Sequence, residues 1–237
     1  MGSSMQGAPR TSSSDNVVDL FSGKTFSALD NERFIRLSPE YDGLCMLYST
    51  SQSSPEKFYS MKILCWGIRE NGEVVGLVPW LNEIVPCDAI NDPELGLYAG
   101  YYNIATEQIF FAAPVHKVLE LETVTDNAEA PTSRDKGQLL QEIPDTIGTH
   151  AMLTADDDHS LILTEVISWR LMGDGSIEAM LIDEAAVDVT PVLPGDNCLY
   201  PARENVHFRY YFQYKIANQL KSEDPDAMAA IELLFDE

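Results

Sequence analysis

The sequence predicts a mainly β protein (β+α) of two repeated three-stranded meanders, followed by a pair of C-terminal helices. Three observations predict it. Two tryptophan-led hairpin signals stand 103 residues apart; a proline, an acid and a glycine precede each in the same order, offset by 105 residues with a shorter inner loop in the second copy; and past residue 203 the apolar residues take a four-residue spacing.

The first hairpin signal is Cys65–Pro79 and the second Ser168–Ile182. In both a tryptophan (Trp66, Trp169) is followed by a branched aliphatic, an Asn-Gly or Asp-Gly pair and a second apolar run. Asn71-Gly72 and Asp174-Gly175 suit positive φ, so a two-residue type I′ turn is expected at each tip. A hairpin alone cannot hide its apolar face, so the rest of the fold must be built around these two. Upstream of the first lie Pro39-Glu40, Gly43 and Met46-Leu47; upstream of the second lie Pro144-Asp145, Gly148 and Met152-Leu153. Pro39 to Pro144 is 105 residues, as is Pro86 to Pro191, which makes the two prolines the matching stops. Order and spacing, rather than composition, carry the case for an internal duplication.

The divisions follow. Residues 1–30 read as a flexible N-terminal segment, small, polar and Ser-rich at the start. Residues 31–125 form the first β unit: strands at 34–37, 44–48, 58–68 and 73–78, then Gln108–Ala113. Val115–Val124 is expected as a further strand, because apolar and polar residues alternate there with period two. Residues 126–137 lack an apolar pattern and form the linker. The second unit spans 138–202. In 203–237, Phe208, Phe212, Ile216 and Leu220 lie on one helical stripe, and Asp224-Pro225 opens a second short helix over 227–235.

Around the first hairpin, Trp66, Gly76-Leu77-Val78-Pro79 and the run Trp80–Val85 resemble the closing half of an SH3-type barrel. The resemblance covers about twenty residues and implies small-barrel geometry. The family's Ala-Leu-Tyr-Asp-Tyr opening and long acidic loop are missing, and the second copy has Ala179 and Ile182 for Gly76 and Pro79. The family's peptide-binding aromatics therefore have no counterparts here beyond the places of Trp66 and Pro79, and fold alone does not carry function.

Charge narrows the partners. Thirty-eight acids against 15 bases give a net charge of −23, which repels phosphate, so neither nucleic acid nor an anionic membrane is expected; a protein partner, if any, is basic. The four cysteines show neither a C-x-x-C pair nor metal-ligand spacing. With no apolar leader and no long apolar run, the chain reads as soluble and cytoplasmic. No cofactor motif is present.

Candidate chemistry is sparse. Asp156, Asp158 and His159 belong to the densest polar cluster and are the metal candidates, although consecutive aspartates point apart and a solvated loop tip explains them. Glu40 and Asp145 hold equivalent places; two carboxylates brought together would share a proton, whereas a turn acid after proline is the plainer reading. His150, beside Gly148, reads first as structural. There is no nucleophile elbow and no phosphate loop, so nothing in the sequence selects an enzyme. The function expected is a non-catalytic binding or adaptor module whose contact site is a groove near Trp66, Trp169, Glu40, Asp145 and His150. A hydrolase-like carboxylate or metal site, and an acidic decoy of basic nucleic-acid-binding proteins, are the alternatives. The oligomeric state is not legible.

Overall fold

The computed structural model describes residues 33–51, 58–93, 96–126, 135–155, 160–183 and 191–213. The first half contains β1 (Phe34–Pro39), β2 (Leu44–Ser49), β3 (Tyr59–Lys62), β4 (Cys65–Arg69), β5 (Val74–Trp80) and β6 (Glu83–Pro86). A 3₁₀ turn at Cys87–Ala89 leads to β7 (Asn91–Asp92), β8 (Gly96–Asn103), β9 (Gln108–Phe110) and the helix α1 (Val115–Asp126). The second half contains β10 (Leu139–Pro144), β11 (His150–Thr154), β12 (Leu161–Met172), β13 (Ile177–Ile182), β14 (Leu199–Pro201), a 3₁₀ turn at Ala202–Glu204 and β15 (Phe208–Phe212). The fold is mainly β and antiparallel, and none of its sheets closes on itself.

Strand order is the same in both halves. One sheet runs β1-β4-β5-β6; its counterpart runs β10-β12-β13-β14. Ser38 and Gly76 flank Trp66 on the neighbouring strands, and Ile143 and Ala179 flank Trp169. The ladder slips between Phe34 and Arg36 on β1, and between Leu139 and Gln141 on β10. The same holds beyond the hairpin. β2 pairs with β3 and β8, and β11 pairs with the first part of β12 and with β15, again with a slip at the same point of β2 and β11. In the first half the central arm changes sheets at Ile63-Leu64, where the backbone N–H groups donate to Leu44 and Leu77. In the second it runs unbroken as β12.

Five sequence expectations change. Both hairpin tips are three-residue loops, because Arg69 and Glu73 close one and Met172 and Ser176 the other. Only Gly72 (φ 83°) and Gly175 (φ 86°) take positive φ there, so each is a type I turn followed by a glycine bulge. The proline standing opposite Met180, as Pro86 stands opposite Leu77, is Pro201 and not Pro191. The equal spacing misled because β5 and β6 join by a tight turn, whereas residues 183–198 separate β13 from β14. Val115–Asp126 is helical: the Pro114 carbonyl accepts the N–H groups of Lys117 and Val118, and a helix buries Lys117 and Leu121 on one face. Phe208–Phe212 is a strand, since pairing with β11 buries Tyr211 and Phe212; the remainder of the C-terminal helical pair lies outside the described residues. The closed SH3-type barrel is the fifth. β2-β3 and β4-β5 belong to separate open sheets.

The core lies in two clusters. One surrounds Trp66 with Met46, Tyr48, Met61 and Ile63. The other surrounds Trp169 and draws Leu37, Leu64 and Leu77 from the first half beside Ile143, Leu171 and Leu181 from the second. Each large side chain so buried contributes roughly 1.5–3 kcal/mol, and the second cluster exists only with both halves present. Across this seam Gln141 acts as a substitute strand. Its amide accepts from the Leu37 N–H and donates to the Leu37 carbonyl, both at 2.9 Å. Gln141→Ala is expected to cost roughly 1–3 kcal/mol, measured by urea unfolding; a loss of only a few tenths would mean that water serves the β1 edge equally well.

Candidate functional site

Each half places an acid after its first strand, and both acids do the same work. Trp66 Nε1–H donates to Glu40 Oε2, while Glu40 Oε1 accepts the backbone N–H groups of Asp42 (2.5 Å) and Leu44 (3.3 Å). Trp169 Nε1–H donates to Asp145 Oδ1 at 3.0 Å, and Asp145 Oδ2 accepts from Gly148 (2.7 Å) and Thr149 (2.8 Å). Gly43 (φ 71°) and Gly148 (φ 73°) supply the turn that aims those N–H groups inward. The carboxylates thus bind their own loops and indoles. Both tryptophans are 0% exposed, so the contact groove expected at them is corrected: the indoles are core and present no surface. His150 lies in β11, opposite Glu165 and Phe212, with Nδ1 3.0 Å from the Gly148 carbonyl. Asp156, Asp158 and His159 lie outside the described residues. Among those that are described, no three His, Cys, Asp or Glu side chains are grouped to hold a metal ion, and no helix is long and apolar enough to cross a membrane.

A cleft of about 430 Å³ does lie between the halves; neither Trp66 nor Trp169 lines it, although its wall residue Tyr211 packs edge-on against Trp169 at 5.7 Å. Its walls include Arg33, Phe34, Glu83, Asp174, Arg203 and Tyr211. Arg33 is held by Glu70 (2.6 Å) and Arg203 by Glu178 (2.5 Å). The Asp174 carboxylate accepts from the Ser176 N–H (3.0 Å) and hydroxyl (2.6 Å). Burial works against its charge, yet those two bonds keep Asp174 below the usual carboxylate range. Each of these contacts stays within its own half, so the polar walls of the cleft are fixed separately on either side.

The more unusual surface is carried by β9 and α1. β9 pairs with β8, turning Phe110 toward Tyr101 and Ile109 outward. Gly100 (φ 133°) permits the close approach, since a Cβ there would lie 2.7 Å from the Phe110 carbonyl oxygen. After the strand, Phe111 is 84% exposed. On α1, Lys117 and Leu121 take the buried face, which leaves Val115 (73% exposed) and Leu119 together on the outer one. Ile104, in the preceding turn, is also mostly exposed. Five large apolar side chains within one short stretch of chain therefore face solvent.

Lys117 fastens this stretch to the core. Its ammonium lies 2.8 Å from Asp42, 3.6 Å from Glu120 and 3.7 Å from Glu40. Burial would lower its pKa, but the hydrogen bond to Asp42 and the charges of Glu40 and Glu120 outweigh that and raise it. In return the Lys117 hydrogen bond holds Asp42 below the usual carboxylate range. Ser38 Oγ donates to Glu120 at 3.0 Å, joining α1 to β1 as well. A readable signal for the face was present in Ile109-Phe110-Phe111: three consecutive bulky apolar residues at the end of a strand, shortly before Pro114, cannot all point inward.

Compared with protein-family models, curated proteins and solved structures, the chain matches none.

Proposed function

We propose that the protein is a non-catalytic binding module whose contact surface is the outer face of β9 and α1. The carrying observation is that Ile104, Ile109, Phe111, Val115 and Leu119, all within residues 104–119, are each more than half exposed. Single exposed apolar residues are ordinary, whereas a run of them on one surface is the mark of a docking site. Lys117 gives that surface a rigid mounting, which lowers the entropy lost on binding.

We also infer that the two halves descend from one duplicated unit. Matching strand order, matching ladder slips and the paired Trp–acid–Gly arrangements support this. A cytoplasmic location fits the four cysteines, all buried and none in a disulfide.

A photo-crosslinking phenylalanine analogue placed at position 111 tests the binding surface, with the same analogue at the exposed Leu193 as control. In cells, a discrete protein adduct is expected from position 111 and not from position 193. Equal labelling at both, or none at 111, would remove the proposal.

A further inference from the structure

Resting on the reading of the β9–α1 face as a docking surface, we infer that its occupant is a cationic amphipathic segment of a partner protein. Such a segment sets apolar side chains against Ile109, Phe111 and Val115 and its Lys or Arg residues against a rim of Asp42, Glu107 and Glu120.

The inference comes from the charge around the apolar centre. Between Gly96 and Asp126 the only Lys or Arg is Lys117. Its side chain is 3% exposed and already shared by Glu40, Asp42 and Glu120, so the carboxylates there outnumber the ammonium. His116, 3.2 Å from Asp42, is the other group of basic type on α1. Asp42 and Glu120 keep nearly half of their side-chain surface in solvent, and Glu107 is exposed in the β8–β9 turn. An apolar centre inside an acidic rim matches a helix with one apolar and one basic face. A second copy would bring acid against acid, since each chain carries −23, and a neutral apolar segment would leave the rim uncompensated.

The test uses the full chain and three short designed helical peptides, made of leucine with lysine, with glutamine or with glutamate. Binding is followed by calorimetry near physiological salt, with circular dichroism confirming that each variant is folded. The leucine–lysine peptide is expected to bind with one-to-one stoichiometry. Phe111→Ser/Val115→Ser should weaken it by at least tenfold and Glu107→Gln/Glu120→Gln by about tenfold. Glu83→Gln/Glu204→Gln, in the cleft and the second half, should leave it unchanged.

An affinity indifferent to Phe111→Ser/Val115→Ser would reduce the binding to general attraction toward an acidic protein and overturn the inference. So would the absence of binding by the lysine peptide, or equal binding by the glutamate peptide. Equal binding of the glutamine peptide, lost in Phe111→Ser/Val115→Ser, would overturn the cationic partner while leaving the docking face intact. A dimer in sedimentation that the same double substitution dissolves would name a second copy as the occupant.

Discussion

Glu40→Ala is expected to destabilise the protein by about 3–5 kcal/mol, enough to lower Tm by roughly 10 °C for a chain of this size. The carboxylate is buried and serves four donors: the Trp66 indole, two backbone N–H groups and the Lys117 ammonium. Removing it leaves the indole and the loop N–H groups without an acceptor in a site with little access to water. It also leaves Lys117, 3% exposed, with carboxylates only on its solvent side. Asp145→Ala removes the matching acid of the second half but should cost only about 1–3 kcal/mol, because Asp145 is half-buried and has no buried ammonium to strand. Urea unfolding followed by tryptophan fluorescence would measure both. A Glu40 loss no larger than the Asp145 loss would mean that water relieves Lys117. Glu40→Gln/Lys117→Met, which removes the buried charges as a pair, should be milder than Glu40→Ala.

Residues that impose backbone geometry were legible in the sequence; residues whose role depends on what packs over them were not. Gly43, Gly72, Gly148 and Gly175 all take positive φ, at the turns where their neighbours place them. The Pro39-Glu40 and Pro144-Asp145 pairs likewise mark real turns. Trp66 and Trp169, by contrast, look the same in a sequence whether they line a groove or fill a core. What decides between these is the acceptor supplied by an acid 24 or 26 residues upstream, a separation over which local pattern carries no information. The misreading of Val115–Val124 has a similar cause. Alternating Leu and Glu fits a strand, and Lys117 gives no hint that three carboxylates await it on the inner face of a helix. The exposed face is only faintly legible, because apolar type ordinarily goes with burial while Phe111 and Val115 are 84% and 73% exposed. The C-terminal stripe shows the limit of spacing alone, since Phe208 and Phe212 four apart also sit on one side of a strand.

The glycines at the two hairpin tips offer the sharpest comparison between the halves. Both have nearly equal positive φ, so alanine at either adds about 1–2 kcal/mol of backbone strain. At Gly72 the space beyond is open, with nothing within 4 Å of a Cβ, and Gly72→Ala should cost no more than that strain. At Gly175 a Cβ would lie 2.6 Å from Arg33 Cγ, 3.1 Å from the Phe34 nitrogen and 3.3 Å from Arg33 Cα. Arg33 cannot easily yield, because its guanidinium is held by Glu70 at 2.6 Å and its carbonyl accepts the Glu70 N–H at 2.9 Å. Overpacking against such a fixed neighbour adds roughly 1–3 kcal/mol, so Gly175→Ala should lose about 3 kcal/mol or more in urea unfolding. The excess over Gly72→Ala isolates the contact between the second hairpin and the start of β1. Equal losses at the two positions would mean that the tip at Gly175 moves freely off Arg33, and that this wall of the cleft is not fixed by the packing of one half on the other.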